Sequence, residues 1–394
     1  LTIPLLKLQS VIILFFLAIL STLMFSRPPH FGELFSGIKF VLVFAGLIPT
    51  MNLVKAAARY NGAVLKTQRF LGALPKTMTT TGFQLSGHAF GGVMNTGVFP
   101  ILAASMPENS DYNYRNACAE ASIRGMSSSA TWSPFFVAFA VGQVYISPKD
   151  SWIALALGVF VSIIFLIATI FFVNKNLNIS FIIKSGACLK PIIPQLAIIM
   201  ASVLLSAIIF KLTALSAVII VMPILIYLKN FKNFNALRNI FFETKESIKG
   251  NVDDVIIISA AMFVGYFVTQ NDIVFLSFMI NDFSVLPEWL ILIIIPLSMC
   301  ILSVFGVHPV ITSTILLTLF TTSKINIPDS LIMQAHLIGW CSGTLGSVVS
   351  LSVITCSKLY FVSTFRLAFG QNLIFALSFS LLGGLMLNLL KLFF

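Results

Sequence analysis

A chain of 394 residues that is 58% hydrophobic and only 9% charged, with a mean hydropathy of +1.00, lacks the polar surface a water-soluble domain needs. These values exclude a soluble globular protein and predict a polytopic helical membrane protein partnered by the lipid bilayer. The formal net charge of +11 does not indicate nucleic acid, because Lys and Arg fall in short segments between apolar runs, the pattern of the positive-inside rule.

Residues 11–25 form the first apolar run. The following Ser26-Arg27-Pro28-Pro29-His30 lacks a small-residue cleavage pattern, so the run reads as a retained helix. The chain begins at Leu1 rather than Met, and a short upstream segment is expected. Residues 34–54 make a second span, and Lys55, Arg59, Lys66, Arg69 and Lys76 place the next stretch in the cytoplasm. Residues 77–105 are apolar but broken by glycines and by Asn95-Thr96, which predicts a helical hairpin entering and leaving on one side. Residues 117–142 read as an interrupted span. Residues 152–173 then return to a loop carrying Lys175, Lys184 and Lys190.

Residues 191–210 and 212–228 form a tight pair. The basic segment after it carries Phe231, Phe234, Leu237, Ile240 and Phe241 at helical spacing and reads as an amphipathic helix on the inner membrane surface. Residues 255–268 cross outward. Beyond them Asp272, Asp282 and Glu288 stand without Lys or Arg, the reverse of the basic stretch that precedes the first hairpin. A second hairpin, a second interrupted span and an apolar run at 365–390 complete the chain, leaving the N-terminus inside and the C-terminus outside a bacterial inner membrane.

The fold class is therefore an all-α polytopic membrane protein with two inverted-topology repeats, each holding a re-entrant helical hairpin and an interrupted transmembrane helix. Residues 1–30 are the first helix. Repeat one covers 31–190, with its hairpin near 77–105 and its broken helix near 117–142. Residues 191–250 are the helix pair and basic cytoplasmic linker. Repeat two covers 251–394, with its hairpin near 289–322 and its broken helix near 331–357.

Matched breaks in two halves point to a midplane ligand site. In repeat one the candidates are Gly91, Gly92, Asn95, Thr96 and Gly97, then Ser127, Ser128, Ser129 and Thr131. In repeat two they are Gly306, His308, Pro309 and Thr312, then Ser342, Gly343 and Thr344. Glycines at a tip expose backbone carbonyl and N–H groups, and half-helix N-termini favour anions while unwound carbonyls suit Na⁺. The competing role for the glycines is close helix packing, and for the hydroxyls back-bonding to their own helix. Arg124 is a partner for an anionic substrate if deep, and a snorkelling topology charge if shallow. His308 is a candidate for proton coupling, with a structural role as the alternative, and His88 shares that ambiguity. His336 is placed nearer the outer surface. Asp253 and Asp254 are assigned to a helix N-terminus, with a place in a proton or sodium path as the alternative. The five cysteines, Cys118, Cys188, Cys300, Cys341 and Cys356, are scattered without CxxC spacing and predict free thiols. No nucleotide-binding loop, zinc-protease or serine-hydrolase motif occurs, so no enzymatic activity and no cofactor beyond a coupling Na⁺ is expected.

Two hairpins, two broken helices and inverted halves resemble the ion transporter superfamily, which includes divalent-anion/sodium symporters, citrate and gluconate permeases and the large permeases of tripartite carboxylate transporters. The tip Met94-Asn95-Thr96-Gly97-Val98-Phe99-Pro100 is similar to the Ser-Asn-Thr signature of the divalent-anion symporters, with Met94 in place of the Ser and no Asn-Thr pair at Val307-His308-Pro309. The resemblance implies that Asn95 and Thr96 contact a substrate carboxylate or help ligate Na⁺. It also implies an elevator motion and a homodimer. The resulting expectation is a secondary active transporter of a small anion, most plausibly a carboxylate, coupled to Na⁺ or H⁺. The rivals are the membrane subunit of a multi-component transporter with an accessory partner, and a membrane enzyme acting on lipid-linked substrates.

Overall fold

The computed structural model describes residues 30–175, 178–250, 286–322 and 325–394, together with Val11, Leu14, Phe15, Ala18, Ile19, Ile256, Ser259, Ala260 and Phe263. Asp253, Asp254, Asp272, Asp282 and most of the spans expected at 11–25 and 255–268 lie outside the described residues. Within those residues the protein is all-helical, as its composition requires of a polytopic membrane protein.

Helix α1, Phe31–Arg59, is 29 residues long, about 43 Å at 1.5 Å per residue. It runs past the span expected at 34–54 and carries Lys55 and Arg59 on the same rod. After α2, Gly62–Gly72, comes the first hairpin. Its long arm is α3, Lys76–Met94, followed by a 3-10 turn, Asn95–Gly97, and a short arm, α4, Val98–Ala103. Asn95 ends α3 at φ 52°, an unusual value for a residue with a Cβ. Its side-chain oxygen accepts from the Thr96 N–H at 2.8 Å, a local bond that an Asx residue can offer a turn. The chain after the short arm comes back beside the end of α2. A Cβ on Gly72 would lie 2.7 Å from the Ser105 carbonyl oxygen.

The first interrupted helix is α5, Tyr112–Ser129, then an irregular stretch, then α6, Val137–Gly142. Asp111 caps α5 by accepting from the Tyr114 N–H at 2.9 Å. Pro134 contributes no N–H to the break. Ser133 instead accepts from the Phe135 N–H at 3.1 Å and donates to the Gly92 carbonyl on the hairpin. Then follow α7, Pro148–Asn174, and α8, Ile179–Gly186. The α8 segment bends by 79° into α9, Ile193–Ile209. Helix α8 replaces the loop expected there, with Asn178 as its cap. Helices α10, Ala214–Asn230, and α11, Phe234–Gly250, complete this part.

Helix α11 has a protein partner as well as exposed apolar side chains, Phe234, Phe241 and Phe242. It packs antiparallel along α1. Arg59 and Tyr60 both bond Glu243, at 3.0 and 2.7 Å, and Ser247 donates to Asn52 at 3.2 Å.

The second half repeats the order. Helix α12, Glu288–Val304, leads through Gly306 at φ 89° to α13, Pro309–Thr322. Helix α14, Asp329–Leu345, breaks at Gly346 and resumes as α15, Leu351–Tyr360, capped by Ser350, which accepts from the Val353 N–H at 3.2 Å. Helices α16, Thr364–Phe369, and α17, Gln371–Lys391, end the chain. Helix α7 and the combined 364–391 segment are long and apolar enough to cross a membrane, and the bent α8–α9 pair adds a third candidate.

Small residues set the closest crossings. A Cβ on Gly125 would meet the Gln84 carbonyl oxygen at 2.0 Å, and one on Gly87 would meet the Ser122 oxygen at 2.8 Å. Backbones of α3 and α5 therefore touch, the mode by which membrane helices associate without a hydrophobic drive. In the second half Gly339 and Gly343 bring α14 equally close to Pro296 and Ser303 of α12.

The halves also exchange partners. Segment α6 packs on α13, the second arm of the second hairpin. Segment α15 packs on α4 and the 3-10 turn, the tip and second arm of the first.

Candidate functional site

The two interrupted helices meet where α5 ends. Ser127 accepts from the Thr344 hydroxyl at 3.4 Å, and further along His336 Nε2 donates to the Ala138 carbonyl at 2.9 Å, so α14 runs antiparallel to α5 and α6. Beside Ser127, Ser128 bonds His88 Nδ1 at 2.9 Å and donates to the Gly125 carbonyl at 2.7 Å. Trp132 Nε1 donates to His88 Nε2 at 3.0 Å. An indole nitrogen only donates, so His88 must present Nε2 as an acceptor and carry its proton on Nδ1. His88 is thus held as a neutral imidazole between two partners.

The sequence candidates divide by surroundings. Gly91 and Gly92 sit at the crossing. A Cβ on Gly91 would lie 2.9 Å from Met126 Cα, and one on Gly92 would lie 2.5 Å from the Trp132 ring. Ser129 back-bonds to the Met126 carbonyl at 2.6 Å, and Thr131 bonds the Ser128 and Gly158 carbonyls at 2.8 and 3.2 Å. These side chains serve packing and local bonding in this conformation.

Asn95, Thr96 and Gly97 remain half-buried at the hairpin tip. Gly97 faces the Lys55 stem and borders a cavity of about 490 Å³ whose polar lining includes Asn52, Lys55, Arg59, Gln68, Glu243 and Glu246. Tyr60, at the end of α1, donates to Glu243, and that bond raises its pKa above the usual phenol value.

In the second half, Gly306 faces Val349 at the α14–α15 break. His308 precedes Pro309, and its Nδ1 accepts from the Val310 N–H at 3.2 Å, so this ring caps α13. The hydroxyls of Thr312 and Ser342 are buried without a hydrogen-bond partner. Gly343 packs on Ser303, and Thr344 also back-bonds to the Trp340 and Cys341 carbonyls at 3.0 and 2.9 Å. His336 is fully buried in the protein, and its Nδ1 has no partner. The structure thus joins Ser127, Ser128 and Thr344. The tip residues Asn95–Gly97 lie against α15, and Gly306 lies against the break before it.

Arg124 is 1% exposed, which removes the snorkelling alternative. Its Nη1 donates to Asn372 Oδ1 at 2.9 Å and its Nε to Gln84 Oε1 at 3.4 Å. Glu120 Oε2 stands 3.8 Å from Nη1, and the Phe375 ring centre lies 5.3 Å from the guanidinium carbon. Glu120 in turn accepts from Asn116 Nδ2 at 2.9 Å. Sequence reasoning missed Gln84, Glu120 and Asn372. The available signal was the four-residue spacing of Glu120 and Arg124 on one helix face.

Among the described residues, no three His, Cys, Asp or Glu side chains gather to hold a metal. All five cysteines are free and buried.

No family model matches the sequence, and no curated protein matches it. Among solved structures the chain is similar to the YdaH transporter of Alcanivorax borkumensis, described as having an unusual topology. The two share 11% sequence identity, cover 98% of this chain and 97% of that one, and superpose with a TM-score of 0.48.

Proposed function

We propose that the protein is a secondary active transporter of a small anion, most plausibly an organic carboxylate, built from two inverted repeats. The observation that supports this reading is the exchanged packing of the interrupted helices. Each second segment, α6 and α15, lies against the hairpin of the opposite half. Non-helical backbone at membrane depth is tolerated where protein or a water-filled cavity satisfies it, and paired breaks between repeats mark ligand sites in transporters. Here the breaks at 130–136 and 346–350 and the tips at 95–97 and 305–308 gather non-helical backbone and hydroxyls at corresponding places in the two halves, bonded locally in this conformation. Two bodies, the hairpins with the interrupted helices and the α1, α10 and α11 group, would move past each other to alternate access, coupled to H⁺ or Na⁺.

The test is uptake of radiolabelled carboxylates and oxyanions into proteoliposomes under separate Na⁺ and H⁺ gradients. Gradient-driven accumulation of one anion is expected, and Asn95→Ala, Thr96→Ala and Thr344→Ala should each lower it. Uptake unchanged in all three variants refutes the site. Absence of uptake by folded protein refutes autonomous transport, and restoration by a soluble binding protein would identify a multi-component system.

A further inference from the structure

The Arg124 cluster is more than a neutralised pair. Arginine is charged at any physiological pH, yet the short hydrogen bond of this buried guanidinium goes to a neutral amide, Asn372, at 2.9 Å. Its formal counter-charge, Glu120, stands 3.8 Å away, beyond hydrogen-bonding distance. Asn372 is fully buried, and its Nδ2 has no partner. A buried donor left unmade is costly, and it marks a position where an acceptor is wanted. An N–H donor of Asn372 and a guanidinium joined at Oδ1 are the donor set that recognises a carboxylate. Glu120 Oε1 lies 3.1 Å from where a Cβ on Gly370 would sit, at the junction where α16 ends and α17 begins.

We propose that Glu120 and Arg124 form a proton-linked anion site: a small carboxylate binding Arg124 and Asn372 replaces Glu120 as the counter-charge, and Glu120 takes up one proton from the aqueous phase as the anion binds. Two carboxylates cannot both stay ionised beside one buried cation without large repulsion, so proton and anion enter together. This names the coupling ion as H⁺ and rests on the transport reading only for its physiological meaning.

The surrounding groups leave Glu120 as the member that titrates. Helix α16 brings Arg366, engaged with Asn113 at 3.3 Å and the Tyr112 ring. Helix α15 brings Tyr360, bonded to Ser122 at 2.8 Å, and Cys356, directed at the Ala119 carbonyl. Cys118 lies on α5 itself. Helix α3 brings Gln84 and His88, whose ring nitrogens are both engaged. Helix α17 brings Asn372 and Phe375.

The experiment is calorimetry on the full-length protein in lipid nanodiscs, titrated with acetate, succinate and citrate in two buffers of different protonation enthalpy. For the wild type we expect about one proton taken up per anion bound, with affinity falling about tenfold per pH unit once Glu120 is ionised before binding. Glu120→Gln mimics the protonated carboxyl and should bind without proton uptake and with a flat pH profile. Asn372→Asp places a fixed carboxylate on Arg124 and should abolish binding while the protein stays monodisperse. An infrared band of a protonated carboxyl should appear on anion addition in the wild type and be missing in Glu120→Gln. Unchanged proton uptake in Glu120→Gln overturns the proposal, and so does failure of the wild type to bind any of the three probes. Proton-linked binding without proteoliposome uptake would reject the transporter and leave this site standing. Uptake that keeps its proton dependence in Glu120→Gln would do the reverse.

Discussion

Trp132, His88 and Ser128 illustrate how one residue can set the chemistry of another. Because the indole N–H points at His88 Nε2, a doubly protonated imidazole would place two donors against each other. Trp132→Phe removes that obstacle and one hydrogen bond, with an expected loss of about 1 kcal/mol in stability, measured as a lower unfolding midpoint in detergent. Arg124→Met strands Glu120 in a buried setting and should cost about 3 to 5 kcal/mol, whereas Glu120→Gln should cost less because the amide can keep the Asn116 bond in part. His308 shows the limit of residue-level reading. Its position at a tip is plain in the sequence, but its service as a helix cap depends on a rotamer that spacing does not reveal.

At the level of elements, the helix interruptions fall where the sequence carries Gly, Pro or clustered hydroxyls. The boundaries moved outward where polar caps extend a helix, as Asp111 does for α5. Helix α8 was missed because its eight residues lie among lysines, and its apolar face is legible only once Asn178 is recognised as a cap. The basic segment reads as a membrane-surface helix because a hydrophobic stripe suits lipid and protein alike, and the partner its sequence does not reveal is α1, bound through Glu243. The Arg59 side chain of that contact is 63% exposed, so Glu243→Gln should change stability by no more than about 1 kcal/mol. A larger drop in the unfolding midpoint would mean that α11 depends on that ion pair.

Across the whole molecule, the ends of the helices sort into two layers. One holds Arg59 and Tyr60 with Glu243, Asn61 and Lys229 with Gln195, and Arg366 with Asn113. The other holds Trp289 with Asn388, and Glu288 with Lys391. Lys66, Arg69, Lys184 and Lys190 belong to segments adjoining the first layer, which the positive-inside rule assigns to the cytoplasm. Since all five native cysteines are buried, a single exposed cysteine can report sidedness. Lys66→Cys should resist a membrane-impermeant maleimide in intact cells and Phe394→Cys should react. The opposite pattern would invert the topology.

Two contacts described above differ in what stands between the backbones. At Gly125 two backbones meet with no side chain between them, whereas the atoms nearest Gly97 belong to the pliable stem of Lys55. The first contact resists sliding and the second tolerates it. If the proposed transport motion occurs, spin labels on the outer faces of α3 and α5 should keep a constant separation, while a pair spanning α1 and α4 should change its separation.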